Sequence, residues 1–193
     1  NTSAAYGFTN SLLKLIEEHG MEHMAVVFDA EDGEGTFRDE IYDAYKANRD
    51  PMPEDLRDNL PYIKQIVQAF DIPVIVRSGV EADDVIGTLA TRCAADGYRV
   101  EIVTSDRDAY QLVSEHIKVR GLDKTEQIGP AEVLEKYGVT VEQWVDYRAL
   151  IGDASDNIPG AKGVGPVGAS KLLQRYGTLD YVLENLDEIE PAG

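Results

Sequence analysis

Val74-Ile75-Val76-Arg77-Ser78-Gly79-Val80-Glu81-Ala82-Asp83-Asp84-Val85-Ile86 reads as a short strand, a turn and the acidic opening of a helix. Three β-branched residues in a row suit a strand. The helix expected over 82–95 is closed by Gly97, and Val100-Glu101-Ile102-Val103 follows as a strand ending just before Asp106. The alternation extends in both directions. Upstream, Tyr6 to His19 has an amphipathic pattern with Leu12, Leu13, Leu15 and Ile16 on the apolar side, and Gly20 to stop it. Ala25-Val26-Val27-Phe28 is a strand ending at Asp29, and Glu31 to Gly35 an acidic loop. Phe37 to Arg49 is expected to be helical, stopping before Pro51, and Asn59 to Phe70 forms another helix. Downstream, Ala109 to Ser114 is a short helix and Ile117-Lys118-Val119 a strand. Strands alternating with helices predict an α/β fold, a mainly parallel sheet with helices on both faces. Such sheets bind ligands beyond the carboxyl ends of their strands.

From Pro130 the pattern changes to short helices, over 130–137, 141–151, 168–176 and 179–186, joined by glycine-rich turns. The expected division is therefore a core over 1–129 and a helical appendage over 130–193. A chain of 193 residues with 43% hydrophobic content can bury a core for one domain with an appended module. The single cysteine, Cys93, excludes a disulfide framework and fits a reducing cytoplasm. It follows Ile86 and Leu89 at helical spacing, which predicts a core position; Trp144 and Tyr147 likewise fit helix packing better than base stacking. No apolar run approaches the roughly 18 residues that a membrane helix needs. The chain opens on Asn1 with no signal peptide, and is expected to begin inside a longer protein.

The formal net charge is −18, which argues against a nucleic-acid partner. Carboxylates that hold metal ions reduce that conflict. Eight of them would still leave 28 acids against 18 bases, so any DNA contact must rest on local basic patches. The acids fall into four positions or clusters at strand ends or adjoining turns: Asp29; Glu81, Asp83 and Asp84; Asp106 and Asp108; Asp153 and Asp156. Taken singly, each has an ordinary reading. The second and third clusters precede helices, where acids cap the end and complement its dipole, and Asp29 suits a turn. Taken together, three of the four sit where a parallel sheet places its site. Converging carboxylates repel unless cations hold them. Oxygen ligands without histidine or cysteine favour Mg²⁺ or Mn²⁺ over zinc.

Six blocks occur in order: Val27-Phe28-Asp29-Ala30, Thr36-Phe37-Arg38-Asp39-Glu40, Tyr45-Lys46-Ala47-Asn48-Arg49, Glu81-Ala82-Asp83-Asp84-Val85-Ile86, Thr104-Ser105-Asp106-Arg107-Asp108 and Gly152-Asp153-Ala154-Ser155-Asp156-Asn157-Ile158-Pro159-Gly160. The set, spanning nearly the whole chain, resembles the 5′-nuclease domains of the flap endonuclease family in the form carried by bacterial DNA polymerases. The resemblance implies a 5′→3′ exonuclease and flap endonuclease that removes displaced strands and RNA primers in replication and repair. It implies that all eight acids surround two or three metal ions, with Asp153 and Asp156 reaching in from the appendage. It makes residues 37–58 an arch over the 5′ strand. It is compatible with a C-terminal polymerase domain in the parent protein, and with a monomer at the bacterial nucleoid.

The family also begins with a strand carrying one more metal-ligand aspartate, ahead of the segment matching Asn1. The 193 residues alone are therefore expected to cleave weakly or not at all. Where the family has a glycine-x-glycine-glutamate-lysine-threonine run, this chain has Gly163-Val164-Gly165-Pro166-Val167-Gly168, without that lysine and threonine.

Gly160 to Gly168 lies between helices, and its exposed amides can hold a phosphate; a plain connector is the competing reading. The resemblance makes it a helix–hairpin–helix that grips duplex backbone through Gly163 and Gly165, with Lys162 and Lys171 nearby and a K⁺ ion on loop carbonyls. Arg38, Tyr42, Tyr45 and Arg49 recur at spacings of four, three and four, which in a helix gives one face of cations and aromatics suited to a single strand. A solvated helix with snorkelling side chains has the same pattern. Over the metal site, as the resemblance places them, Lys46 and Arg49 would act on the scissile phosphate. Solvation, or pairing with Asp43 or Asp50, is the plainer alternative. Two rival functions remain at this stage, a PIN-type metal ribonuclease and a flap-binding module with decayed chemistry.

Overall fold

Helix α1 (Ser3–His19) and helix α3 (Glu54–Ala69) pack against a two-stranded parallel sheet of β1 (Val26–Phe28) and β2 (Val74–Val76). The computed structural model describes residues 2–19, 23–30, 35–122 and 124–189. Gly20 and the acidic residues 31–34 singled out in the sequence lie outside them. The chain divides into two compact units, one of Asn1–Ile41 with Arg49–Ile86 and the other of Tyr42–Asn48 with Gly87–Gly193.

In the first unit, Leu12, Val67 and Ile72 are buried, with Phe8, Ile16, Met24, Val26, Phe70 and Val74 packed on them. Phe8, Leu12 and Ile16 repeat every four residues and set the buried stripe of α1. Leu13, expected on that side, is exposed because it falls a third of a turn away. The buried Asn59 of α3 accepts from the Ala5 amide in the first turn of α1 (3.3 Å) and donates to the Asp55 carbonyl (2.5 Å). A helix-end amide without an intrahelical partner is thereby satisfied. α3 starts five residues before the expected Asn59, because Glu54 and Asp55 favour a helix N-terminus. Pro61 is tolerated inside it at an exposed position, at the loss of one ladder bond. Helix α2 covers only Phe37–Ile41, and α4 (Ala82–Ala95) begins in this unit.

The second unit has its own parallel pair, β3 (Val100–Val103) with β4 (Ile117–Arg120), in the register Val100↔Ile117 through Val103↔Arg120. Ile128 adds an antiparallel bridge to Val119. Between the strands, Arg107–Leu112 is a 3₁₀ turn rather than the α-helix expected over 109–114. The Asp106 carboxylate accepts from the Asp108 amide (2.8 Å) and so starts the turn early. Parallel pairing is present as expected, but as two separate pairs instead of one continuous sheet. Alternation identifies strands; it carries no information on which strands pair.

Helices α5 (Pro130–Tyr137), α6 (Trp144–Ile151), α7 (Pro166–Tyr176) and α8 (Leu179–Glu184) complete the unit. Glu132 reaches back to the Gly129 amide (2.7 Å), which fixes the start of α5. Ser170 and Gln174 of α7 donate to the Gly138 carbonyl at its end. Trp144 and Tyr147 are buried, as expected, with Tyr110 and Tyr137 around the indole at ring separations of 4.8 to 5.3 Å. Cys93 is exposed, against expectation. It lies in the last turn of α4, where the only buried residue is Ala90.

The helix expected over 37–49 ends at Ile41. The Lys46 amide donates to the Asp156 carbonyl (3.0 Å), and Lys46 itself takes φ 54, outside the helical region. Asn157 Nδ2 donates to the Ala44 carbonyl (2.7 Å), Asn48 Nδ2 to the Ala154 carbonyl (2.8 Å) and Tyr42 Oη to the Asn157 carbonyl (3.2 Å). The 153–157 loop thus takes the Lys46 amide and the Ala44 carbonyl, two groups a helical ladder would have used. Arg38, Tyr42, Tyr45 and Arg49 consequently do not share a helix face.

Candidate metal centre

The acids of the first unit gather around the start of α4. Asp29, directly after β1, accepts from the Ala82 amide through Oδ1 (2.7 Å). Asp84 Oδ2 accepts from the Glu81 amide (3.0 Å). Both act as caps, the ordinary reading of acids at a helix N-terminus. Asp84 is also forked by Arg38 of α2, with Nη1 to Oδ2 at 2.7 Å and Nη2 to Oδ1 at 2.8 Å. The same guanidinium lies 4.6 Å from the Phe37 ring centroid. Glu81 is half-buried and Asp83 is exposed.

In the second unit, carboxylate oxygens of Asp108, Asp153 and Asp156 lie within 4.8 Å of one another. Asp108 comes from the 3₁₀ turn after β3, and Asp153 and Asp156 from the loop after α6. Asp106 and Asp153 line a pocket of about 370 Å³ together with Ser105, Arg107, Arg148 and Ser155. Asp106, the fourth acid of this unit read as a ligand, has its Oδ1 engaged as a turn cap. Tyr45 donates to Asp156 Oδ2 (3.1 Å), so a residue read as DNA-binding touches a predicted metal ligand.

Arg148 of α6 was not singled out in the sequence. Its Nε donates to Asp108 Oδ1 at 2.7 Å and its Nη2 to Asp153 Oδ2. Asp153 Oδ1 accepts from the amide (2.8 Å) and hydroxyl (2.6 Å) of Ser155. Burial pushes the Asp108 carboxyl above its ordinary range, with Arg148 pulling against it and Asp106 and Asp153 adding to the rise. For Asp153 burial is outweighed by the Ser155 hydrogen bonds and the Arg148 charge, and its carboxyl is held low. Repulsion among three carboxylates at this separation favours positive charge beside them, part of which Arg148 supplies. The donor set is all carboxylate oxygen, with no sulfur or imidazole, which suits a hard divalent cation.

The loop that carries Asp153 and Asp156 is closed by paired backbone bonds between Asp153 and Ile158, both 2.8 Å. Gly152 takes φ 73, and a Cβ there would lie 2.3 Å from the Gly160 amide; a Cβ on Gly160 would lie 2.4 Å from the Ile151 carbonyl carbon. Those obstacles are backbone atoms, which cannot turn aside. Gly160→Val should therefore destabilise the protein by about 2–3 kcal/mol through overpacking, read as a lower urea midpoint. A midpoint unchanged from the parent would show that the loop has slack there.

The candidate hairpin follows this loop. Lys162, Gly163, Gly165 and Lys171 are all exposed. Gly163 takes φ 82, and nothing lies within 4 Å of a Cβ built on it or on Gly165. Both backbones are open to close approach from outside. Gly165 precedes Pro166, the first residue of α7.

Residues 1–138 match the family described as 5′-3′ exonuclease, N-terminal resolvase-like domain, and residues 139–192 match 5′-3′ exonuclease, C-terminal SAM fold. DNA polymerase I of Deinococcus radiodurans is 54% identical over 183 residues, covering 95% of this chain and 19% of that protein. The thermostable DNA polymerase I of Thermus thermophilus is 48% identical over 188 residues, covering 97% of this chain and 22% of that protein. The chain thus spans about a fifth of the length of these relatives. Among solved structures, the T5 D15 protein co-crystallised with metal ions superposes with a TM-score of 0.79 at 21% identity, over 94% of this chain and 71% of that one. The catalytic core of Rad2 in complex with DNA substrate gives 0.64 at 19% identity, over 97% and 58%. At those identities the likeness is one of fold.

Proposed function

The chain belongs to the 5′-3′ exonuclease family, and from that membership we propose that it hydrolyses phosphodiester bonds at the 5′ ends and 5′ flaps of DNA with divalent cations. The observation that carries the reading is the carboxylate group of Asp108, Asp153 and Asp156. In this proposal these three, with Asp106, and Asp29, Glu81, Asp83 and Asp84 of the first unit, hold two or three Mg²⁺ or Mn²⁺ ions. Bound divalent ions activate water and offset charge on the scissile phosphate. The carboxylates act as ligands and not as bases. Ser155 keeps Asp153 ionised through its two hydrogen bonds.

Lys46 and Arg49 supply fixed positive charge where negative charge develops on the phosphate. The backbone of Lys46 is bonded to that of Asp156, which supports its assignment to the same site. Arg38, Tyr42 and Tyr45 contact the 5′ strand. Tyr42 and Tyr45 do so from a segment of turns, so their role does not depend on a shared helix face. Gly163 and Gly165, with Lys162 and Lys171, grip duplex backbone as a helix–hairpin–helix with a K⁺ ion on its carbonyls. Such a local contact is what a chain of net charge −18 requires. RNA primers as a further substrate, action as a monomer in the bacterial cytoplasm at the nucleoid, and a polymerase domain in the parent protein are parts of the same proposal.

A fluorescent 5′-flap substrate tests it. Cleavage near the flap base should require Mg²⁺ or Mn²⁺ and stop with EDTA. Preferential cutting of single-stranded RNA would favour a PIN-type ribonuclease. Flap binding without cleavage by the parent protein at any divalent concentration would favour a binding module.

A further inference from the structure

We infer that Arg148 is the internal counter-cation of the Asp108–Asp153 pair, holding the place of a divalent ion until the ion displaces it. The inference rests on the reading of these acids as metal ligands and adds a residue which that reading does not contain. One guanidinium spans both carboxylates through different nitrogens, Nε on Asp108 and Nη2 on Asp153. Both oxygens of Asp153 are thereby engaged, Oδ2 by Arg148 and Oδ1 by Ser155. An ion binding Asp153 must share an oxygen with one of these partners or displace it. Ser155 lies in the same tight loop as Asp153, and Arg148 is the partner that carries like charge to the ion.

Arg148 is well placed for the exchange. Its carbonyl accepts from the Gly152 amide (2.8 Å), so its backbone is fixed one turn ahead of Asp153. Its side chain keeps 22% of its surface accessible, which leaves a path of withdrawal. A guanidinium does not deproton in proteins, so it cannot yield by losing its charge. It must move, or share the carboxylates at the cost of repulsion with a dication. Without metal it relieves the mutual repulsion of the acids; with metal it opposes binding. Arg148 is therefore a positioning residue whose effects on the two states have opposite signs.

The test compares Arg148→Met, Arg148→Gln and Arg148→Lys with the parent chain. Mn²⁺ affinity is measured by the electron paramagnetic resonance of free Mn²⁺, and melting temperature with and without Mn²⁺. Both neutral variants should melt lower without Mn²⁺, bind it about tenfold more tightly and gain more from its addition, as expected when one charge beside a dication is removed. Arg148→Lys keeps the charge and should stay within about threefold of the parent affinity. A scaffolding role alone would weaken Mn²⁺ binding in the neutral variants. Equal or weaker binding in both overturns the inference and leaves the nuclease reading standing. A parent chain that binds no Mn²⁺ overturns both.

Discussion

In the parent protein, Asp153→Ala should lower single-turnover cleavage of a 5′-flap substrate by about 10³-fold or more, while DNA affinity stays within about threefold. Stabilisation of transition-state charge by a metal ion is worth several kcal/mol, and each 1.36 kcal/mol is about tenfold in rate. Asp153 is the appropriate target because both of its oxygens are engaged and two further carboxylates lie close by. It lies within 4.8 Å of Asp108 and Asp156, accepts from Arg148 and is held ionised by Ser155. Asp153→Asn separates charge from shape, since it keeps an oxygen for the Ser155 hydroxyl and loses the negative charge. It should lose nearly as much rate as the alanine variant with a smaller change in melting temperature. Cleavage by Asp153→Asn within about tenfold of the parent would remove Asp153 from the ligand set.

The largest effect on stability is expected at Trp144. Trp144→Ala should cost about 3–5 kcal/mol, the range for emptying an aromatic site in a core. The indole is 1% exposed and has Tyr137 edge-on at 4.8 Å, Tyr110 at 5.2 Å and Tyr147 at 5.3 Å. Its Nε1 has no hydrogen-bond partner, so the loss is one of packing alone. Tyr110 belongs to the 3₁₀ turn that positions Asp108, and Trp144 starts the helix that carries Arg148. A urea midpoint lowered by that amount, with an unchanged slope, would place the cluster at the centre of the fold. A loss below about 1 kcal/mol would mean that the tyrosines close over the void.

Much of this was legible in the chain itself. β2, α4, β3 and α5 have the bounds expected from periodicity and from the Gly97 and Pro130 signals, because local pattern alone sets them. Asp108, Asp153 and Asp156 were legible as candidates because strand ends and adjoining turns concentrate ligands, and the structure brings these three together. What the pattern could not carry was partnership at a distance. Arg38 meets Asp84 across 46 positions, and residues 42–48 give up their helix to a loop more than 100 positions away. Intrinsic preference for a helix was overridden there by tertiary hydrogen bonds. Arg148 escaped notice for a different reason. It lies five residues before Asp153, a separation that no helical rule links, and only the turn at Gly152 brings the two together.

The ring closed by Asp153 and Ile158 acts as a ruler. Four residues, 154 to 157, fill it, and the contact of Gly152 with Gly160 leaves no backbone slack on its outer side. The distance between the Asp153 and Asp156 carboxylates is thus set by ring size and is independent of helix phase. Residues 154 and 155 can change in kind, but the loop cannot change in length without altering the gauge by which the two oxygens are held.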